Sequence, residues 1–511
     1  MKPYINQNKI ILFIFFSVFS LSLFSQGEKE NSGIYPEKKY VLDYLSQPDI
    51  LAKYGKISDC IWSYAELGLQ EYKSAGLLSE TLEKEGFTVA MGMAGMPTCF
   101  VASYGSGKPV IGILMEFDAL PMISQKGRVP FQDPVIPGAP GHGCGHNMMG
   151  TASSAAAIAV KKSMEKYRIS GTIKVFGSPA EETTISRPYM IRAGLFDDVD
   201  VVIDNHASGK FGTSYGVSHN ALYSVIFTFR GNAAHSAGSP WSGRSALDAV
   251  EIMNVATNYL REHLYYTHRM HYVIIEGGQA PNVVPDKASV WYYIRDTDDR
   301  VTAMYEKVIN CAKAAALATG TELEKINCLT AIHQVHSNKA AAEIFQKNIE
   351  IAGMPEWANE EHEFAIALQK NLEAKEKGFP KEVDSLKTPS GSFTGGGSTD
   401  VGDVSLIIPL ATIRFPGIVP GAIGHHWSTV SSTYGSAAWK GLNAGAKAIA
   451  ASAIDLLTQP EELQKIREEF EEYAREHPYK SFLPDDAVPP PDLNKELMTK
   501  WRSLMESYYL E

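Results

Sequence analysis

The sequence predicts an α/β protein, built on a mostly parallel sheet with a smaller α+β domain inserted into it. Three observations carry that prediction. The run Pro109–Met115 is continuously apolar, the composition of a strand buried on both faces, as parallel strands are, and the mostly apolar Thr172–Phe176 and Val199–Ile203 read as further strands. Polar residues able to do chemistry come just after each run: Glu116 and Asp118, then Glu181 and Glu182, then Asp204 and His206. Chance would put as many before the runs as after them, and the carboxyl edge of an open α/β sheet is where sites form. Finally, the stretch 221–330 reads in the order β-α-β-β-α-β, the ferredoxin-like arrangement.

The elements follow in order. Leu51 to Glu85 has helical apolar spacing and stops at Gly86. Phe87–Ala90 and Cys99–Ser103 read as short strands, and Pro109–Met115 as a buried one. The Ala-rich segment Met148–Met164 reads as a helix. In the insert, Leu222–Arg230, Tyr272–Ile275, Ala288–Ile294 and Glu322–Leu329 read as strands, Gly243–His263 as a long amphipathic helix and Arg300–Thr319 as a helix. Beyond it Ala340–Ala352 and Glu361–Glu376 look helical, Ser405–Phe415 holds another strand, and Tyr434–Leu457 forms a closing helix. The organisation expected is a signal peptide over 1–25, a catalytic domain in two parts (34–220 and 331–457), the insert (221–330), and an extension (458–511). That extension is charged, carries Pro489-Pro490-Pro491, and reads as a surface appendage without chemistry.

A chain of 511 residues has room for two or three domains, and 44% hydrophobic with 21% charged residues is ordinary globular composition. A net charge of -11, with no basic stripe interleaved with aromatics, argues against nucleic acid as a partner. Gly395-Gly396-Gly397-Ser398-Thr399 lacks the Lys of a P-loop. Gly212-Thr213-Ser214-Tyr215-Gly216 fits the letters of a nucleophile elbow but lacks the flanking strand and helix, so it reads as a polar turn. Lys2 and Lys9, the apolar run Ile10–Phe24 and the small or polar exit Ser25-Gln26-Gly27 read as a secretory signal. The run is short for a span of ~20 residues, although an uncleaved anchor stays open. The expected destination is periplasmic or secreted, with no integral membrane span after cleavage. Cys60, Cys99, Cys144, Cys311 and Cys328 are odd in number and contain no Cys-x-x-Cys, so no disulfide scaffold is expected. Four of them have apolar or helical neighbours; Cys144 alone sits among Gly and His.

That exception opens the chemistry. Gly141-His142-Gly143-Cys144-Gly145-His146-Asn147 packs a thiol and two imidazoles into one Gly-rich turn. Cys144 as thiolate can bind one metal or bridge two, with His146 as a nitrogen ligand; alone, the segment reads equally well as a glycine loop with a buried Cys. Of Glu181 and Glu182, one can bind a metal while the other takes a proton from the attacking water; an isolated pair would more often be a solvated helix start. His206 follows a strand beside Asp204, which can orient its ring, and Asp118 can do the same for His142 or His146; either Asp can also be a turn former. His425 and His426 precede Trp427, and adjacent residues on an extended segment point to opposite sides, so one of the two is expected to be a ligand. In the insert, His235 can hydrogen-bond a substrate oxyanion, Asn282 can donate a hydrogen bond, and Arg295 can grip a carboxylate bidentately or serve a structural ion pair.

His142-Gly143-Cys144-Gly145-His146-Asn147 resembles the His-x-Cys-Gly-His-Asp signature of the amidohydrolase branch of the M20 metallopeptidase family. Pro179-Ala180-Glu181-Glu182 resembles its Pro-x-Glu-Glu motif, and Asn232–Ser236 with Gly277–Pro285 its dimerisation-domain motifs. The resemblance covers about Tyr40 to Leu457. It implies a zinc-peptidase-like catalytic domain with an inserted dimerisation domain. It implies two divalent metal ions, Zn or Mn, held by Cys144, His146, Glu182, His206 and His425, with Cys144 as the bridge and Glu181 as general base. It prefers His425, because the branch has a His two positions before this Trp. It further implies that His235 and Asn282 bind substrate across a homodimer or a heterodimer with a related subunit. The expected substrates are N-acyl or aroyl amino acids or dipeptides, aminobenzoyl-glutamate-like ones first. Asn147 stands where the branch has Asp and cannot carry its charge.

Two rival readings use the same residues. A non-catalytic exported binding protein for acylated amino acids or peptides would have no use for Glu181. A structural zinc protein would use compact Cys-rich spacing, whereas these ligands are dispersed over several strand ends.

Overall fold

The computed structural model describes residues 34–389 and 395–510; the signal reading of residues 1–25 lies outside them. Three helices open the described chain: α1 (Pro36–Leu45), α2 (Pro48–Tyr64) and α3 (Tyr72–Lys84). They lead into β1 (Thr88–Met91), β2 (Phe100–Ser106), β3 (Val110–Met115), α4 (His146–Tyr167), β4 (Gly171–Gly177), α5 (Ser186–Arg192), β5 (Val201–Ala207) and β6 (Gly216–Ser218). The second group is β7 (Ala221–Arg230), α6 (Ala246–Leu260), β8 (Arg269–Glu276), β9 (Lys287–Asp296), α7 (Asp298–Thr319) and β10 (Glu322–Ile332). The chain continues through β11 (Val335–Ser337), α8 (Lys339–Ala352), α9 (Asn359–Asn371), α10 (Val401–Ile407), β12 (Leu410–Phe415), α11 (Trp427–Ser432), α12 (Ser436–Thr458), α13 (Pro460–Glu476) and α14 (Lys495–Met505).

The large sheet has the order β1-β2-β4-β3-β5-β12. Its β4, β3, β5 and β12 are parallel, and the antiparallel pairs β1/β2 and β2/β4 close one edge. All six residues of β3 are buried, the signature of a strand covered on both faces. The Ala-rich helices α4 and α12 pack together over this core, where short side chains allow close approach. The second sheet is antiparallel with order β10-β7-β9-β8, the ferredoxin-like order, and α6 and α7 bury a core of their own against it. The fold is thus a mixed α/β architecture with a mostly parallel sheet.

Several sequence expectations need correction. Leu51–Glu85 is two helices, not one; the break runs from Ala65, which turns left-handed (φ 39) after α2, to Glu71. Ser405–Ile407 lies in α10, and the strand begins only at Leu410, because a short apolar run has no periodicity to separate helix from strand. The segment 459–510 is not a loose appendage. It straps the molecule: Phe482 stacks on His333 at 3.7 Å and faces Tyr223 at 5.9 Å. Arg192 donates to the carbonyls of Leu483, Pro484 and Ala487. Further on, the Gln70 amide donates to the carbonyls of Pro491 and Leu493, the Leu67 amide to the Met498 sulphur, and Arg502 to the buried Glu66 at 3.2 Å. Among the described residues no helix is long and apolar enough to cross a membrane.

Candidate metal centre

Because β3, β4 and β5 run parallel, their carboxyl ends share one edge, and the polar residues that follow them meet there. Glu116 and Asp118 follow β3. After β4, Ala180 and Thr184 take left-handed backbone (φ 56 and 55) and bracket the turn that presents Glu181 and Glu182. Asp204 and His206 lie within the last residues of β5. Cys144 and His146 enter at the start of α4, where Gly145 is left-handed (φ 89) and a Cβ would stand 2.7 Å from that of Ala207. His425, itself left-handed (φ 57), precedes α11. Non-glycine residues in this region are strained by roughly 1–3 kcal/mol each, and such strain clusters at functional sites.

Three groups of ligand atoms lie within 4.8 Å of one another: Cys144, His146 and His206; Cys144, Glu182 and His425; and Glu116, His146 and Glu181. Cys144 belongs to the first two. Its Sγ is 3.4 Å from His206 Nε2, and His425 Nε2 is 3.3 Å from Glu182 Oε2. Asp118 organises the pair of arms: Oδ1 is 2.8 Å from His146 Nδ1, and Oδ2 accepts from the Glu182 amide at 2.9 Å. The His146 ring is thereby fixed with Nε2 toward the cluster, as a second carboxylate fixes a metal-binding imidazole.

The residues fit a cation. His146 Nε2 and Glu116 Oε2 lie 3.3 Å apart, yet they and Glu182 Oε1 are buried without a hydrogen bond, and buried polar atoms are otherwise almost always paired. A set of sulphur, imidazole and carboxylate suits a borderline divalent ion. Electrostatics point the same way. Burial pushes Cys144 up to about 12, Glu182 to about 8 and Glu116 to about 7, and Glu181 well above the carboxylate range. Burial holds His206 down to about 3, a neutral imidazole. His146 goes the other way: burial opposes its charge, but Cys144, Glu182 and Asp118 outweigh burial. A bound cation inverts this logic and favours the anionic thiol and carboxylates.

The cluster opens into a cavity of ≈ 370 Å³ also lined by Arg295, Arg414, His219 and Thr412. The structure therefore brings together Cys144, His146, Glu181, Glu182, His206, His425, Asp118 and Arg295. His426 turns away and caps α11, its Nδ1 3.0 Å from Ser428 Oγ. His142 is buried against the Ile61 carbonyl at 3.0 Å, so Asp118 serves His146. Asp204 does not orient His206; it accepts from Thr412 at 2.7 Å, while His206 Nδ1 bonds the Ala207 carbonyl. His235 and Asn282 are exposed neighbours at one end of the insert, joined by the Ser236 amide and Asn282 carbonyl at 3.1 Å, and neither lines the cavity. Sequence reasoning missed the fully buried Arg187, which ion-pairs with Asp400 and, at 2.7 Å, with Glu116. It also missed Arg414. Glu116 at least carried the signal of following a strand.

A cluster of this composition, with a spare carboxylate at the edge of a parallel sheet, defines a metal-dependent hydrolase. Residues 112–427 match the description peptidase family M20/M25/M40. The chain is 36% identical over 464 residues to one of the subunits of the p-aminobenzoyl-glutamate hydrolase of Escherichia coli, covering 86% of this chain and 96% of that protein. It is 29% identical over 429 residues to the Xaa-Arg dipeptidase of Mus musculus, covering 81% and 88%. A solved Bacillus subtilis structure, described as a dinuclear metal-binding peptidase from the M20 family, superposes with a TM-score of 0.50 at 16% identity, covering 80% of this chain and 99% of that one. The chain belongs to the M20 peptidase family, and it is a metal-binding amidohydrolase.

Proposed function

We propose that this enzyme hydrolyses the amide bond of N-acyl or aroyl amino acids or dipeptides, with aminobenzoyl-glutamate-like substrates first. One observation carries the reading: Cys144 is common to two ligand groups, and the unshared carboxylate Glu181 stands beside them at the cavity. Cys144, His146, Glu182, His206 and His425 would hold two divalent ions, Zn or Mn, and Cys144 would bridge them. When bound, such ions polarise a carbonyl oxygen and make water acidic at neutral pH. The chain's own residues do the rest. Glu181 takes a proton from the attacking water and delivers it to the leaving amine. Asp118 keeps His146 in the productive tautomer. Arg295, with its Nε buried and unpartnered, receives a substrate carboxylate.

His235 and Asn282 are exposed in one chain, which supports their service to a second subunit, in a homodimer or a heterodimer with a related subunit. There His235 would donate to the developing oxyanion. The secretory reading of residues 1–25 makes the enzyme periplasmic or secreted. The test is metal-dependent release of free amino acid from aminobenzoyl-glutamate, N-acetyl amino acids and dipeptides after loading with Zn²⁺ or Mn²⁺, against a chelated control. Silence across the panel with metal bound would move weight to an exported binding protein or to a missing subunit.

A further inference from the structure

Two guanidinium groups line the same cavity, and among the described residues neither has an acid or acceptor paired to it. Arg295 stands near the end of β9, its guanidinium over the Tyr293 ring at 5.0 Å. Arg414 stands near the end of β12, in register with His206. Among the described residues neither side chain forms a hydrogen bond or an ion pair, and both line the cavity. A guanidinium offers five donors, and withdrawing them from water unmatched is unfavourable.

Charge balance inside the protein does not account for Arg414. The acid that attracts it most is Asp204, and Cys144 adds a weaker attraction. Asp204 already accepts the Thr412 hydroxyl at 2.7 Å and feels the Arg187 guanidinium more strongly than that of Arg414. Arg414 also borders a small cleft with Lys210, Lys387 and Asp384, where three cations meet one acid, and Lys387 already pairs with Asp384 at 3.4 Å.

We propose that Arg414 is a specificity-determining residue: with Arg295 it forms a two-guanidinium site that takes both carboxylates of an acidic amino-acid moiety. This rests on the amidohydrolase reading and narrows its substrate class to N-acyl aspartates and glutamates. A neutral side chain would leave one guanidinium unmatched. A basic one, of the kind the similar Xaa-Arg dipeptidase is named for, would meet like charge, and such repulsion discriminates as effectively as attraction.

The test is isothermal titration calorimetry on the full chain loaded with Zn²⁺ and carrying Glu181→Gln, so that ligand is not consumed. The probes are 4-aminobenzoyl-glutamate and 4-aminobenzoyl-glutamine, alike in shape and different by one charge. The glutamate form should bind ~10- to 100-fold tighter, the value of one charged hydrogen-bonded contact. Adding Arg414→Gln should erase that ratio; adding Arg414→Lys, which keeps the charge but loses the fork, should keep only part of it. Thermal melting identifies folded protein, and the parent and Arg414→Lys ratios decide the matter if Arg414→Gln does not fold. A parent ratio near one overturns the proposal. So does an equal loss for both ligands in Arg414→Gln, which would leave Arg414 a mere support of the site. A binding ratio that holds while the wild-type chain shows no turnover would remove the proposed reaction and leave the role of Arg414 standing.

Discussion

The carboxyl edge of the large sheet and the outer end of the insert both carry the polar motifs of an active site, yet only the first is assembled. At the sheet edge, Cys144, His146, Glu182, His206 and His425 converge from four separate segments into one cluster, with His146 buried, Cys144, Glu182 and His206 half-buried and His425 exposed at its mouth. At the outer end of the insert, His235 and Asn282 sit side by side and exposed. The difference is one of support. Parallel strands deliver their ends to one place whatever loops follow, whereas a two-layer sheet leaves its turns in solvent unless something docks on them.

Four experiments would break or sharpen that contrast. The largest effect is expected from Glu181→Gln: kcat should fall by ~10²–10⁴-fold, the usual worth of a general base, with bound metal unchanged by elemental analysis. Near-normal turnover with metal retained would remove Glu181 from the chemistry. His235→Ala should lower kcat by ~10²–10³-fold, as loss of an oxyanion donor does. If the insert serves a second copy, mixing His235→Ala and Glu181→Gln chains restores activity, because one site of the mixed dimer then has both residues. A proven mixed dimer without recovery would place His235 in the service of its own chain. Asp118→Asn should weaken metal binding by ~10–100-fold, measured by competition with a chelator; unchanged affinity would mean that His146 needs no orienting partner. Smallest is Ser245→Ala. Ser245 caps α6 by accepting the Asp248 amide at 3.2 Å, and its loss should lower stability by ~1 kcal/mol while leaving kcat nearly unchanged. A large activity loss there would mean that the insert's stability itself gates the reaction.

Much of this was legible beforehand, for identifiable reasons. A continuous apolar run marked β3 and mostly apolar segments marked β4 and β5, and the parallel arrangement then forced Glu181, His206 and Asp118 onto a common edge. Cys144 was legible because glycine neighbours made it unlike the other four cysteines. What was not legible depends on contacts distant in sequence. Arg187 meets Asp400 and Glu116 across 213 and 71 residues, and nothing local marks any of the three as a network. Asp204, two residues from His206, looked like its orienting acid, yet its cross-strand partner Thr412 takes its carboxylate. The tail misled through composition: α13 is mostly charged, and the few buried side chains of α13 and α14, Leu463, Ile466, Met498 and Met505, are too sparse to announce docking.

The strap made by the tail has a consequence for the birth of the chain. Glu66 is buried, and its cation, Arg502, comes 436 residues later. At ~5–20 residues per second, synthesis separates the two by roughly 20–90 s. For that interval the break between α2 and α3 has neither its counter-charge nor its covering segment, and the opening helices wait for the last ones. Domains usually fold as they emerge; this one closes from its end, so its exposure to chaperones and proteases is timed by residues 491–502. A chain that stops before Pro491 would lack the Gln70, Leu67 and Glu66 contacts of that segment altogether.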